Sequence, residues 1–310
     1  MMKKLTYITG TLIVGILSLV FVVASCVTDG SNSNKAKQIK KSASGSVSEE
    51  TIEGFNKSKL IFYSLPSPLE TAMLIKRAGA VYDEDLLNPT NNITKYTTNL
   101  KMAINLGIYS ADLSYTSLFD QTQISVKYMA NAKKLADGLG ILNAIDENTI
   151  KRLENNMNNR DVVLDIISET FMNSNAYLTE ENRPVMAVSV LIGGWIEGLY
   201  IATKLTNGSL VNNKKLIERI VYQKLSLYTV LNLLDDFKGN DDAKYLKSMM
   251  SELNVIFEQV KIKNTSKVEA STDKKNKVTT IKAESEVDIS QEVFNKLIKK
   301  VEEIRTEFIS

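Results

Sequence analysis

From Pro184 the chain enters the run VMAVSVLIGGWIEGLYI, ending at Ile201, in which Glu197 is the one charged residue. Wound as a helix, this stretch is apolar around its whole circumference, so other elements must enclose it on every side. Four prolines and fourteen glycines in 310 residues favour long uninterrupted elements over the turn-rich pattern of a β fold. The expectation is an all-α fold, an irregular antiparallel helical bundle of about eight helices with this run at its centre.

The partners are legible from spacing. Ser67-Pro68-Leu69-Glu70 combines a capping serine, a proline at the first helical position and a glutamate at the capping-box position, and Gly79 stands where that helix would stop. Ile93, Tyr96, Leu100, Ala103, Gly107, Ala111, Tyr115 and Leu118 recur at intervals of three and four. So do Ile124, Tyr128, Ala132 and Leu135, ahead of Gly138 and Gly140. Asp146 is read as the start of another helix with a break near Asn158, and Val162, Val163, Ile166, Ile167 and Phe171 as part of the next. A long helix carrying Ile217, Ile220, Val221, Leu231 and Leu234 is expected to stop at Gly239, with Asp241 capping its antiparallel neighbour. Residues 59–260 thus read as the helical domain. Residues 261–288 turn polar, with weak alternation around Val268-Glu-Ala270 and Val278-Thr-Thr-Ile281. A small polar β-hairpin near 265–285, turning across Asp273–Asn276, is preferred there over a linker. Residues 289–310 form an amphipathic C-terminal helix with Phe294, Leu297, Ile298, Val301, Ile304 and Phe308 on one face.

The first 26 residues differ in kind. Lys3 and Lys4 precede an apolar stretch from Leu5 to Ala24, which ends in Val23-Ala24-Ser25-Cys26. A basic start, an apolar middle and small residues at the end are the parts of a secretory signal. The last four residues resemble the lipobox of bacterial lipoprotein precursors. That resemblance implies diacylglycerol on the Cys26 sulfur, cleavage after Ser25 and acylation of the new amino group, which together anchor durably where one chain is marginal. It also implies a cell-envelope location. Val27 follows the cysteine where inner-membrane retention uses mainly Asp, which favours an outer-membrane lipoprotein, facing either the periplasm or the surface. An uncleaved transmembrane helix is the competing reading, since about 20 apolar residues can span a bilayer. Residues 26–58, rich in Ser, Asn, Lys and Gly, then read as a flexible tether.

Two absences narrow the chemistry. The chain has no histidine and a single cysteine, at position 26. Ser-His-Asp and Cys-His catalysis, Cys/His zinc sites and an internal disulfide are thereby excluded. Without Lys3 and Lys4 the chain carries 36 basic and 36 acidic side chains, so no net field recruits nucleic acid. No cofactor and no metal is expected.

Three places merit a functional reading. Gly193-Gly194-Trp195-Ile196-Glu197-Gly198 places three glycines in a helix, each costing about 1 kcal/mol relative to alanine. Close backbone packing is the preferred compensation. A pocket wall carrying Trp195, Glu197 and Tyr200 is the alternative. Tyr109, Asp112, Tyr115, Asp120 and Gln121 form a polar-aromatic cluster in a segment otherwise patterned for burial: a binding dyad, or a network of mutually satisfied groups. Asp235-Asp236-Phe-Lys-Gly-Asn-Asp241 has the D-D-x4-D spacing that holds magnesium in polyprenyl synthases, but Gly239-Asn240 interrupts the helix and no second aspartate cluster follows. Beyond Cys26 the residues match no functional family's pattern, and no catalytic residue is assigned. The expected function is a membrane-anchored envelope lipoprotein whose helical domain binds an unknown protein or small-molecule partner. The alternatives are an envelope enzyme using carboxylate or tyrosine chemistry, and a structural spacer.

Overall fold

Two helices that meet backbone to backbone organise the protein. The computed structural model describes Met73 and residues 75–77, 79–142, 147–211, 214–273 and 278–310. The signal-like segment, Cys26, the tether, the Ser67–Glu70 cap, Asp146 and the hairpin turn at 274–276 lie outside these residues. Among the described residues the α-helices are α1 Asn99–Leu118, α2 Thr122–Gly138, α3 Glu147–Asn155, α4 Arg160–Glu180, α5 Pro184–Lys204, α6 Lys214–Asp235, α7 Asp241–Phe257 and α8 Gln291–Phe308. Two 3-10 turns, Glu84–Leu86 and Thr90–Lys95, precede them, and the antiparallel strands β1 Lys261–Asp273 and β2 Val278–Asp288 separate α7 from α8. The fold is an all-α helical bundle carrying one hairpin.

Helices α1 and α5 form the centre. Every residue from Ala103 to Leu118 and from Val185 to Thr203 is buried. Helix α5 is long and apolar enough to cross a membrane, yet it is wholly enclosed by the protein. The pair meets at glycines and runs in the same direction, Ile104 lying against Gly193 and Asp112 against Glu197. A Cβ on Gly107 would collide with the Val190 carbonyl oxygen and lie 2.6 Å from the Gly194 nitrogen. One on Gly193 would collide with the Ile104 carbonyl oxygen, its carbon only 2.8 Å away. Close backbone packing therefore compensates for glycine in mid-helix, and dispersion contacts between main chains replace those of side chains.

The other helices wrap this pair. Helix α2 packs on α1, α4 on both central helices, α3 on α4, and α6, α7 and α8 on α5. Helices α6 and α7 are antiparallel, with Lys247 on Asp235 and the Tyr228 hydroxyl donating to Glu258. Helix α8 lies antiparallel to α7, joined by Lys300 to Glu252 and Tyr245 to Glu307. Phe294, Leu297, Val301, Ile304 and Phe308 are all buried, so the last helix is a wall of the same core.

Element ends follow local chemistry. The turns at Gly79 and Gly140 close their helices at φ +79° and +70°, with Ala80 N–H donating to Ile75 and Ile141 N–H to Ala136. Asp120 ends α1 the same way at φ 59°. Three boundaries differ from the sequence reading. The helix expected from Ile93 begins at Asn99, because Thr98 caps it by accepting the Lys101 N–H, and Tyr96 precedes it on an irregular segment. Helix α6 ends at Asp235 and not at Gly239, residues 236–239 forming a turn. Asn240, not Asp241, caps α7 by accepting the Ala243 N–H. Asp241 and Asp242 occupy its first turn, where negative charge complements the helix dipole. The hairpin exceeds the expected 265–285, its register placing Lys261 opposite Asp288 and Lys263 opposite Glu286.

Gly107→Ala is expected to lower the unfolding free energy by about 3 kcal/mol in urea denaturation, at the upper end for overpacking because backbone is the obstacle. Gly239→Ala, with nothing within 4 Å of its added carbon, is the matched control and should change stability by less than about 0.5 kcal/mol.

Candidate functional site

The residues that sequence analysis nominated converge on a buried polar network, not on a cavity. Glu197 on α5 and Asp112 on α1 are both 0% exposed. Arg305 on α8 donates through Nε to Glu197 Oε2 at 3.0 Å and through Nη2 to Oε1 at 3.1 Å, a bidentate pair. Its Nη2 also donates to the Leu86 carbonyl at 3.1 Å, and its guanidinium lies over the Tyr200 ring at 4.6 Å. Burial alone would pull the guanidinium pKa down, but the Glu197 carboxylate outweighs it and the net shift is upward.

Asp112 accepts the Asn88 N–H on Oδ2 at 3.2 Å, and its Oδ1 meets no N–H or O–H donor. The neighbour of Asp112 is the Glu197 carboxylate, and two carboxylates can hydrogen-bond only across a shared proton. Of the two, Asp112 is the carboxyl biased toward holding that proton. Burial first, and then the Glu197 charge, raise its pKa well above the ordinary aspartate value. The triad is thus two buried carboxyl groups, Asp112 biased toward its protonated form, and one guanidinium.

The same network pins the irregular segment before α1. Asn88, fully buried, donates to Tyr96 Oη at 3.0 Å and to Asn105 Oδ1 at 3.3 Å, and its carbonyl accepts the Tyr128 hydroxyl at 3.0 Å. Tyr109 donates to the Pro89 carbonyl at 3.1 Å, and the Tyr115 hydroxyl accepts the Asp83 N–H at 3.1 Å. Burial raises the pKa of Tyr109 and Tyr115, so neither is a base. Asn105 reaches the Phe308 carbonyl at 2.8 Å, tying α1 to the end of α8.

The pocket reading of the Gly193–Gly198 region is therefore corrected. Glu197 is aimed at Arg305 and Asp112 inside the core. Trp195 donates to Gln223 on α6 at 2.8 Å and lines a crevice of only about 20 Å³, room for about one water molecule and no larger ligand. Asp120 is apart from the cluster, its carboxylate exposed near Lys76 and Arg160 at 3.7 and 3.9 Å. Asp235 pairs with Lys247 and Lys238 at the surface, and these cations hold its carboxyl below the usual range. Among the described residues no group of three acidic, histidine or cysteine side chains could hold a metal ion.

A cavity that sequence analysis missed lies on the other side of α1. It measures about 250 Å³, opens to the surface on one side, and is lined by residues of α1, α2, α3, α4 and α5. Leu106, Leu113, Met129, Leu153, Ile167 and Phe171 supply the apolar wall, and Ala130, Ala132, Ser110 and Ser174 stand where larger side chains would fill it. Its ionisable residues, Lys133 and Glu154, are exposed and opposite in sign. The spacing of α2 shows which positions face inward, but an alanine that packs tightly and one that leaves space look alike in a sequence. A more open depression of about 370 Å³ is walled by Lys76, Arg77, Arg160, Asp161 and Asp165, where Arg160 already pairs with Asp161.

No protein-family model matches the chain, and neither a curated protein nor a solved structure is significantly similar to it.

The shared proton has a signed consequence. A carboxyl whose folded pKa is raised binds its proton more tightly in the native state. Its stabilisation is complete below the unfolded value and is lost as pH rises through the folded one. Urea denaturation at a series of pH values above 4 should show stability falling with pH. Asp112→Asn, which can donate to Glu197 without a titrating proton, should flatten that slope.

Proposed function

We propose that this protein is an envelope lipoprotein, anchored through acyl chains on Cys26, whose helical domain binds a small apolar molecule between α1, α2, α3, α4 and α5. The cavity of about 250 Å³ carries the binding half of this reading. An enzyme using carboxylate or tyrosine chemistry needs convergent ionisable groups at a reachable surface. Asp112, Glu197 and Tyr109 are instead buried inside the core. A spacer needs no cavity, and a native core normally leaves few voids larger than a water molecule. The lipobox-like Val23-Ala24-Ser25-Cys26 after an apolar stretch supports the anchoring half, and with Val27 next it favours the outer membrane.

Each half has its own test. A fluorescent naphthylamine probe added to the full chain should gain intensity saturably. Ala132→Leu, which fills the cavity, should reduce that binding at least tenfold while leaving stability equal or higher. Loss of stability with unchanged probe binding would place the probe elsewhere. For the anchor, Cys26→Ala expressed in the native host should move the protein from the membrane to the soluble fraction, and continued sedimentation with membranes would favour an uncleaved transmembrane helix.

A further inference from the structure

Hydroxyls buried inside helices ordinarily satisfy themselves by donating to a carbonyl one turn back. Ser110 donates to Leu106, Ser114 to Ser110, Thr179 to Asn175 and Ser189 to Val185 in this way. Ser174 on α4 does not. It is 4% exposed, its hydroxyl makes no hydrogen bond among the described residues, and it lines the cavity. Its oxygen is not among the sealed side-chain atoms that lack a partner, which belong to Tyr82, Asp112, Asn175 and Asn254, so it keeps accessible surface on a residue that lines the cavity. A buried hydroxyl held away from its own helix is a donor and acceptor kept for something else.

We infer that the cavity takes an uncharged, mostly apolar molecule of about ten non-hydrogen atoms whose one oxygen function, a hydroxyl or carbonyl, hydrogen-bonds Ser174. This rests on the cavity-binding reading above and names its ligand class. The size follows from scale: a cavity of about 150 Å³ accommodates benzene, about 25 Å³ per heavy atom, so about 250 Å³ accommodates about ten. The charge follows from the lining. The buried wall carries no ionisable group, and Lys133 and Glu154 at the exposed rim oppose each other, so an anionic or cationic head finds no net field. A charge carried inward would lose its hydration without a counter-ion.

Three probes of ten heavy atoms separate the possibilities: 4-propylphenol, its isostere 4-propyltoluene, and octanoate. Each competes with the naphthylamine probe on the full chain, against a protein-free blank. Octanoate is expected to compete at least tenfold more weakly than the phenol. Ser174→Ala should weaken 4-propylphenol on the order of fivefold and leave 4-propyltoluene within twofold. Ser110→Ala, whose hydroxyl is already donated to Leu106, should leave both unchanged. The inference is overturned, with the cavity reading intact, if Ser174→Ala shifts phenol and toluene equally or neither, or if octanoate competes as well as the phenol. If no probe displaces the naphthylamine, the cavity reading fails and takes this inference with it.

Discussion

The approach of α1 to α5 sets the geometry on which everything else depends. Glycine at 107 and 193 lets two backbones touch, and the closeness leaves both helices with no free face from Ala103 to Leu118 and from Val185 to Thr203. Two such helices cannot form a stable pair in water by themselves, because their remaining circumference is apolar. They require a jacket, and α2, α4, α6, α7 and α8 supply it. The bundle is irregular because the jacket is laid around a crossing, where a regular bundle packs neighbours side by side.

Putting an acid on each central helix has a cost that the jacket must offset. Asp112 and Glu197 are removed from water together, and desolvating two like charges is more expensive than any single pair returns. The protein brings Arg305 to Glu197 from α8, and burial beside that carboxylate biases Asp112 toward its protonated form. Such a triad adds little net stability over a well-packed apolar core, whereas removing one member strands a charge, typically at about 3–5 kcal/mol. Its contribution is positional. With the triad in place, Asn88, Tyr96, Asn105 and Tyr128 can order the irregular chain before α1, which has no helical ladder of its own.

Much of the helical plan could be read in the chain because a 3.6-residue period is a direct imprint of one-sided burial. Pro184 to Ile201, the Phe294–Phe308 stripe and the compensation for glycine by close packing were legible in this way. The partner of that packing, Gly107, looked only like one more small residue in a periodic row. Glu197 and Arg305 were each a lone charge on an apolar face, 108 positions apart, and that mismatch was the one available sign of their pairing. Asn88 and Asn105 carried no sign at all, because an asparagine in a turn and one in a core network have the same one-dimensional context. The helix starts went astray where an unforeseen cap accepted the N–H: Thr98, five residues past Ile93, and Asn240, one before Asp241. The cavity was invisible in principle: patterning specifies which face is buried, not whether facing side chains fill the space between them.

The dependence on α8 also orders events in time. Arg305 is bonded to Leu86, 219 positions earlier, and Asn105 to Phe308 across 203. As the chain leaves the ribosome, α1 and α5 emerge long before Arg305, the residue that pairs with Glu197 and, on α8, closes the core. Contacts of such separation are made late and slowly.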